Sequence, residues 1–321
     1  MKYIFYILSF IYSTHGLKIP STSNIQKIIP KYDKIISYID ICRPQNIAPS
    51  IILTMGGESA SLGGGFPTDF FTHNSLLTTS ITVGICSTSM ILNDYFDAKL
   101  GTDIPGINNN NPIVSGKLSP YEVKQFLSIL YPFIVFAIST IDINSLRILF
   151  LSGLITTYIY TESLKPYTWI KNISVASITT LAPIVGGISI YGNAYDAFTF
   201  PESHLMGLSI ATFMGILHRE ILMDITDHET DKNNDIITIP VKYGNEYAVL
   251  ISSIALIISG FSCIIYSKTI WLGEIAIFIM LKNLYETWYV INNGYIGEKE
   301  CKKAIDESIF TFPLIVLSFC I

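Results

Sequence analysis

Charged residues are scarce in this sequence. Lys, Arg, Asp and Glu account for 14% of its 321 residues, whereas an ordinary soluble domain has roughly 25%. Half of the residues are hydrophobic, and long apolar runs recur from residue 46 to the C-terminus. These proportions argue against a soluble domain, a disordered chain and a fibrous protein, and they favour a protein embedded in a membrane.

Cysteines and basic runs are also rare. The five cysteines are odd in number and contain no Cys-x-x-Cys pair, which argues against a disulfide framework or a zinc site. The formal net charge is −5 and no long run of Lys and Arg accompanies it, so we expect no nucleic acid partner. The cysteines are therefore predicted to be reduced packing residues.

The N-terminal residues look like targeting segments. Residues 1–16 contain a basic Lys2, an apolar run and small residues near its end, which is typical of a signal peptide; the run is much shorter than the roughly 20 residues that a bilayer requires. Residues 17–38 are basic and contain Ser and Thr, as organellar transit peptides do. We expect either a plastid membrane protein with a bipartite leader or a plain membrane protein with a basic tail.

Nine apolar runs of about 20 residues follow, each long enough for a transmembrane helix. They are continuous, which predicts helices. The sequence therefore predicts an all-α fold over residues 39–321, a polytopic integral membrane protein built as a bundle of nine transmembrane helices. The predicted spans are 46–63, 74–93, 121–140, 144–161, 173–191, 203–222, 246–266, 271–291 and 305–321.

The basic residues fall on one side of this topology. With nine spans, the N-terminal tail shares its side with every second loop, and most of the 20 Lys and Arg residues lie on that side. Membrane proteins carry such an excess of basic residues in their cytoplasmic loops. One continuous basic face is therefore predicted.

Two acidic clusters end the second and sixth spans on that face. In the first cluster, Asp94 and Asp97 are three residues apart and share one side of a helix. In the second, Asp224 and Asp227 repeat this spacing, and Asp231 follows one turn later. Because Mg²⁺ prefers oxygen ligands and is usually held by carboxylates together with substrate phosphates, these acids predict a magnesium-bound phosphate ligand.

An allylic prenyl diphosphate is the ligand that this setting would fit. Metal ions and nearby bases stabilise the charge that develops on a departing diphosphate, and the apolar spans suit an isoprenoid tail. We therefore expect a lipid-soluble allylic diphosphate that shares the lipid bilayer with the protein.

At these residues the sequence resembles the UbiA-type membrane prenyltransferases. Residues 93–97 are similar to the family motif N-D-x-x-D, and residues 224–231 are similar to its second acidic motif. Residues 111–116 resemble a further element, in which Asn111 stands where the family usually has Arg. In the first motif, Gly101 occupies the position of a third Asp. The resemblance implies a nine-helix bundle that transfers a prenyl group from a geranylgeranyl, phytyl or longer prenyl diphosphate. The acceptor that it implies is an aromatic or other lipophilic molecule.

The resemblance also implies roles for individual residues, several of them in more than one role. The residues that would bind Mg²⁺ are Asp94, Asp97, Asp103, Asp224, Asp227 and Asp231. Those that would contact the diphosphate are Asn93, Arg43, Lys99, Lys117, Arg219 and Lys232, with Lys117 replacing the missing arginine. The catalytic set comprises Asp94, Asp97, Asp224, Asp227, Lys165 and Tyr160.

Other functions stay open at this point. A cation transporter would use acids near the midpoints of its spans, whereas these acids lie at span ends beside bases, which favours an enzyme. A family member without activity is a further alternative. The acceptor is open too, because the spacing from Lys99 to Asp103 resembles the branch that makes menaquinone or phylloquinone in plastids. The second motif is closer to tocopherol, chlorophyll synthase-like and geranylgeranylglyceryl phosphate-type transferases.

Overall fold

A computed structural model describes residues 33–63, 72–101, 111–164, 168–191, 203–233, 236–295 and 297–321. Within these ranges the chain forms twelve helices, which confirms the all-α prediction. All five cysteines are free thiols, as predicted. Residues 1–32 of the predicted leader, and also Asp103 and Lys165, lie outside the described residues.

The helices are numbered here in chain order. Helix α1 covers residues 33–41, and a 3-10 turn at Pro44–Asn46 follows it. A π-helical turn, Tyr160–Leu164, continues α5. The other helices are α2 (Ile47–Ser61), α3 (His73–Leu100), α4 (Pro120–Ser139), α5 (Asn144–Ile159), α6 (Thr168–Tyr191), α7 (Ser203–Thr226), α8 (His228–Asn233), α9 (Ile239–Tyr243), α10 (Asn245–Tyr266), α11 (Ile270–Asn292) and α12 (Glu298–Cys320).

Several of these helices can cross a membrane. Five in the described part of the chain are long and apolar enough to do so, namely α3, α4, α6, α7 and α10. The remaining predicted spans coincide with α2, α5, α11 and α12, each of at least 15 residues. Large apolar side chains such as Phe133 and Phe278 are about seven-tenths exposed, which suits contact with lipid. The count of nine spans stays a prediction.

Local signals at its ends fix the length of α3. The Thr72 side chain accepts a hydrogen bond from the Ser75 backbone N–H at 3.2 Å and caps the start of the helix. Gly101 follows its last residue with φ 74°, a left-handed conformation that glycine adopts without a Cβ penalty. The helix therefore runs past the predicted end at residue 93, and its final turns carry Asp94 and Asp97.

Helices α2 and α6 touch backbone to backbone. A Cβ atom at Gly57 in α2 would overlap the Pro183 carbonyl in α6, and a Cβ atom at Gly186 would overlap the Thr54 carbonyl in α2. Small residues permit such close approach between membrane helices. The two helices are therefore held together at a fixed spacing.

Polar contacts show which helix ends meet. The Glu58 carboxylate accepts hydrogen bonds from the Ser75 hydroxyl at 2.8 Å and the Ser189 hydroxyl at 3.5 Å, which joins the end of α2, the start of α3 and the end of α6. Arg43, just before α2, contacts Asp94 near the end of α3. The opposite end of the bundle therefore holds the starts of α2 and α6 and the end of α3.

Candidate active site

The first acidic helix end is paired with a base. Asp94 is buried, and its Oδ1 atom lies 2.5 Å from Nη2 of Arg43. Arg43 has φ 48°, a left-handed conformation that no other non-glycine residue adopts in the described ranges. Asp97, also buried, accepts a hydrogen bond from the Asn93 amide at 2.8 Å. The structure thus pairs Asp94 with Arg43 and Asp97 with Asn93, all four of them residues that the sequence predicted for the site.

Asn111 supports this helix end. Its amide donates a hydrogen bond to the Asp94 backbone carbonyl at 3.0 Å, and its side-chain oxygen accepts one from the Ile113 backbone N–H at 2.9 Å. The residue is buried. In this chain Asn111 therefore links the segment after α3 to the last turns of that helix. Lys117, its predicted substitute as a diphosphate contact, is exposed.

The second acidic helix end is paired with a base that we did not assign from the sequence. Asp224 is fully buried in α7, and its Oδ1 atom lies 2.5 Å from the Lys171 ammonium. The Asn172 amide donates a hydrogen bond to the other carboxylate oxygen at 2.9 Å. Both partners lie in the first turns of α6, before the predicted start of that span at residue 173. The sequence signal that could have identified them is their position on the predicted basic face, just before an apolar span.

Two further acids of the second motif occupy different environments. Asp231, in α8, is buried, and its Oδ2 atom has no hydrogen-bond partner among the described residues. Burial raises the pKa of Asp231 to about 6, although the positive charge of Lys171 acts in the opposite direction. Asp227 is exposed at the rim of the cluster. The second motif thus combines two buried acids, Asp224 and Asp231, with the exposed Asp227.

The two acidic helix ends lie within electrostatic reach of one shared residue. Tyr160 follows α5 and is buried. The charges of Asp97 from α3 and Asp224 from α7 both act on its hydroxyl group, together with those of Lys171 and Glu220. The π-helical turn that starts at Tyr160 packs against α3 and α6. The structure therefore brings the predicted Tyr160, Asp97 and Asp224 into one electrostatic cluster.

The other predicted bases lie farther out. Lys99 is exposed, and its ammonium stands 5.4 Å from the centre of the Phe96 ring. Lys232 is exposed at the end of α8. Arg219 pairs with Glu220 at 3.5 Å. In the described residues, Arg43 and Lys171 are thus the bases in direct contact with the aspartates of the two motifs.

The chemistry of these side chains suits a hard divalent cation. No group of three or more His, Cys, Asp or Glu side chains forms a preassembled metal site in the part of the chain that the structure describes. Asn172 Oδ1 and Asp231 Oδ2 are nonetheless among the buried oxygen atoms that lack a hydrogen-bond partner in the same residues. Asn172 binds Asp224 directly, and the charge of Asp224 acts on Asp231. Carboxylate and amide oxygens of this kind fit Mg²⁺.

Comparisons with known sequences agree with this site. The sequence profile of the UbiA prenyltransferase family matches residues 50–305. A digeranylgeranylglyceryl phosphate synthase of Thermococcus sibiricus is 29% identical over 288 residues, which cover 86% of this chain and 96% of the relative. An enzyme of the same name from Methanosphaera stadtmanae is 34% identical over 229 residues, or 69% of this chain and 74% of the relative.

Solved structures share the fold. A digeranylgeranylglyceryl phosphate synthase structure superposes with a TM-score of 0.65 at 19% identity, and covers 89% of this chain and 97% of that protein. A UbiA homologue from Archaeoglobus fulgidus bound to DMAPP and Mg²⁺ gives a TM-score of 0.56 at 16% identity, with 88% and 99% covered. The profile match spans most of the sequence, and the chain therefore belongs to the UbiA prenyltransferase family and is an enzyme of that class.

Proposed function

We propose that this chain is a Mg²⁺-dependent prenyltransferase that crosses a membrane with nine helices and takes its prenyl group from an allylic diphosphate. One observation carries the proposal. The leading aspartate of each acidic motif is buried against a base from another segment, Asp94 against Arg43 and Asp224 against Lys171. Two such buried acid–base pairs suit a diphosphate ligand with bound Mg²⁺. The acids can bind the metal ions, and the bases can contact the diphosphate oxygens.

The metal would be held by carboxylates from both helix ends. In this proposal Asp94 and Asp97 bind on the α3 side, and Asp224 and Asp231 bind on the α7 side. Asp227 at the rim and Asp103 complete the set. When bound, Mg²⁺ supplies a Lewis acid that neutralises the diphosphate and improves it as a leaving group. The Archaeoglobus fulgidus homologue bound to DMAPP and Mg²⁺ supports this assignment.

The bases of the site act on the same leaving group. Arg43 and Lys171 each reach a buried carboxylate, so both stand where diphosphate oxygens would lie beside those acids. Their charges stabilise the negative charge that develops as the carbon–oxygen bond breaks. Tyr160 orients the diphosphate. The charges of both acidic helix ends act on its hydroxyl group. Asn93 positions Asp97 through its hydrogen bond.

Four predicted diphosphate contacts lie away from the aspartates in the structure, namely Lys99, Lys117, Arg219 and Lys232. We propose that they help to concentrate the anionic donor at the membrane surface, since clustered basic side chains raise the local concentration of an anion. Lys165, which lies outside the described residues, stays a proposed catalytic residue.

We propose a lipid alcohol as the acceptor. The curated relatives described above are digeranylgeranylglyceryl phosphate synthases, and the second acidic motif resembles that branch. The donor would then be geranylgeranyl diphosphate, and the acceptor a glyceryl phosphate that already carries one geranylgeranyl ether. Transfer forms a second ether bond and releases diphosphate. The apolar bundle accommodates the isoprenoid chains of both substrates.

A second candidate acceptor is an aromatic quinone precursor in a plastid membrane. It is favoured by the spacing of Asp97, Lys99 and Asp103 and by the composition of residues 1–38. Both candidates use the same donor site, so the acidic motifs do not separate them. They differ in the atom that is prenylated, an alcohol oxygen in the first case and a ring carbon in the second.

One assay distinguishes these possibilities. The full chain, reconstituted in lipid nanodiscs, is given radiolabelled geranylgeranyl diphosphate and Mg²⁺ together with geranylgeranylglyceryl phosphate, dihydroxynaphthoate, homogentisate or chlorophyllide. We expect a dietherglyceryl phosphate product that disappears when EDTA is added. Turnover that persists in EDTA refutes the metal assignment, and a product only with an aromatic or chlorin acceptor refutes the lipid alcohol. Absence of product with every acceptor refutes transfer from geranylgeranyl diphosphate by this chain.

A further inference from the structure

A buried carboxylate lies one helical turn away from the second acidic motif. Glu220 precedes Asp224 by four residues in α7 and is 8% exposed. Residues four apart lie on one side of a helix, about 6 Å apart along its axis. Because α7 runs towards the acidic end of the bundle, Glu220 lies deeper in the bundle than Asp224. It therefore sits below the place that the diphosphate would occupy.

The neighbours of Glu220 show that it faces the same cluster. The charges of Lys171 and Asp224 both act on its carboxylate. Its own charge acts on the Tyr160 hydroxyl, as those of Asp97 and Asp224 do. Glu220 is thus part of the inner wall of the site rather than of the lipid-facing surface of α7.

The fold holds Glu220 less tightly than it holds Asp224. Asp224 has two close partners, Lys171 at 2.5 Å and Asn172 at 2.9 Å. Glu220 has an ion pair with Arg219 at 3.5 Å, and the same guanidinium also lies 3.3 Å from the Met223 sulfur. A buried carboxylate is costly unless it is well paired. Of the two acids in α7, Glu220 is therefore the one better placed to accept a new hydrogen bond.

We propose that Glu220 is the proton acceptor for the hydroxyl group of the acceptor lipid. This inference rests on the proposed transfer to an alcohol. The bond between prenyl C1 and the diphosphate oxygen breaks, and diphosphate leaves with the electron pair. The acceptor oxygen then bonds to C1, and its proton passes to the Glu220 carboxylate. The product is a neutral ether linkage, and the proton later leaves Glu220 to solvent.

This role predicts a specific uncoupling. A general base is needed for bond formation to the acceptor but not for departure of the diphosphate. Loss of the base should therefore spare ionisation of the donor, whose cation is then captured by water to give the free prenyl alcohol. Loss of a metal-binding aspartate should suppress both outcomes.

The test compares Glu220→Gln with wild type and with Glu246→Gln, an exposed acid at the start of α10. Ether product and free prenyl alcohol are counted separately from labelled donor in nanodiscs. For E220Q we expect ether formation to fall by about 100-fold, with an unchanged KM for the donor and continued release of prenyl alcohol. E246Q should match wild type in both products.

The outcomes are separable. E220Q with the wild-type rate of ether formation overturns the role of Glu220 while the proposed function stands. Loss of ether and prenyl alcohol together assigns Glu220 to donor binding and also overturns the inference. If E220Q does not fold, Glu220→Asp keeps the carboxylate but withdraws it, and its ratio of ether to prenyl alcohol must fall below the wild-type ratio. If the wild-type protein itself forms no ether product, the result contradicts the proposed function and not the role of Glu220.

Discussion

Lys171 in α6 and Asp224 in α7 form an ion pair of 2.5 Å that is almost fully shielded from solvent. The pair joins the start of one helix to the end of another across 53 residues of sequence. Each residue neutralises the other in a setting where an isolated charge would be strongly unfavourable. The lysine is therefore both a structural partner of Asp224 and a preformed positive charge beside the proposed diphosphate position.

Replacement of Lys171 by Met should lower the kcat/KM for the prenyl diphosphate. Met keeps a similar length but removes the charge, so we expect a loss of about 100-fold, the size seen when one preorganised stabilising group is deleted. Initial rates with labelled donor measure the effect. Lys268→Met is the matched control, because Lys268 is exposed in the loop before α11. Equal rates in the two variants would contradict a role for Lys171.

Arg43 should not be replaceable by Lys. The guanidinium reaches the Asp94 carboxylate from a residue with a left-handed backbone, and a planar fork and an ammonium group differ in geometry. A hydrogen bond to a charged group contributes about 1.5–3 kcal/mol, so we expect R43K to raise the KM for the donor roughly tenfold or more. The KM for the acceptor should stay unchanged. A variant with wild-type KM values would refute the proposed contact.

Asp224→Asn should remove metal binding as well as activity. The amide keeps the size of the side chain but loses the negative charge that a divalent cation requires. Binding of Mn²⁺ together with a non-hydrolysable prenyl diphosphate analogue can be followed by electron paramagnetic resonance in nanodiscs. We expect the bound Mn²⁺ signal to disappear in D224N and to persist in E246Q. Retention of the signal in D224N would move the metal to other residues.

Gly186→Ala should destabilise the bundle. The added methyl group would meet the Thr54 carbonyl of α2, which cannot move aside as a side chain can. Overpacking of this kind typically costs about 1–3 kcal/mol. Thermal unfolding in detergent should show a lower midpoint for G186A. Gly84→Ala is the control, because its new Cβ would meet only the flexible Ile134 side chain at 3.2 Å. Equal midpoints would argue against the close contact between α2 and α6.

Much of this fold could be predicted from apolar runs, since each predicted span coincides with a helix of at least 15 residues. Hydropathy was less informative about helix ends. Polar residues such as Lys171 and Asn172 end an apolar run, yet they belong to α6, where each donates a hydrogen bond to Asp224. In the same way α3 continues through Asp94 and Asp97. The ends of spans near a polar site are thus set by partners distant in sequence.

The acidic motifs were named as site residues from the sequence, and so were Arg43 and Asn93, whereas the partners of Asp224, Lys171 and Asn172, were not. Spacing along one helix puts Asp94 and Asp97 on a common side, and that inference needs no tertiary information. The choice of Lys171 over Lys99 or Lys232 depends on how α6 packs beside α7, which spacing does not encode. Asn111 illustrates the same limit, because its hydrogen bond to the Asp94 carbonyl gives it a structural role that differs from the arginine usual in the family.

The meeting of α2 and α6 at Gly57 and Gly186 has a consequence for how hydrocarbon enters and leaves the protein. Where two main chains abut, there is no gap wide enough for an isoprene unit to slip through. That seam is closed to an isoprenoid chain along the length of the contact. Exchange with the surrounding lipid must take place through another side wall of the bundle.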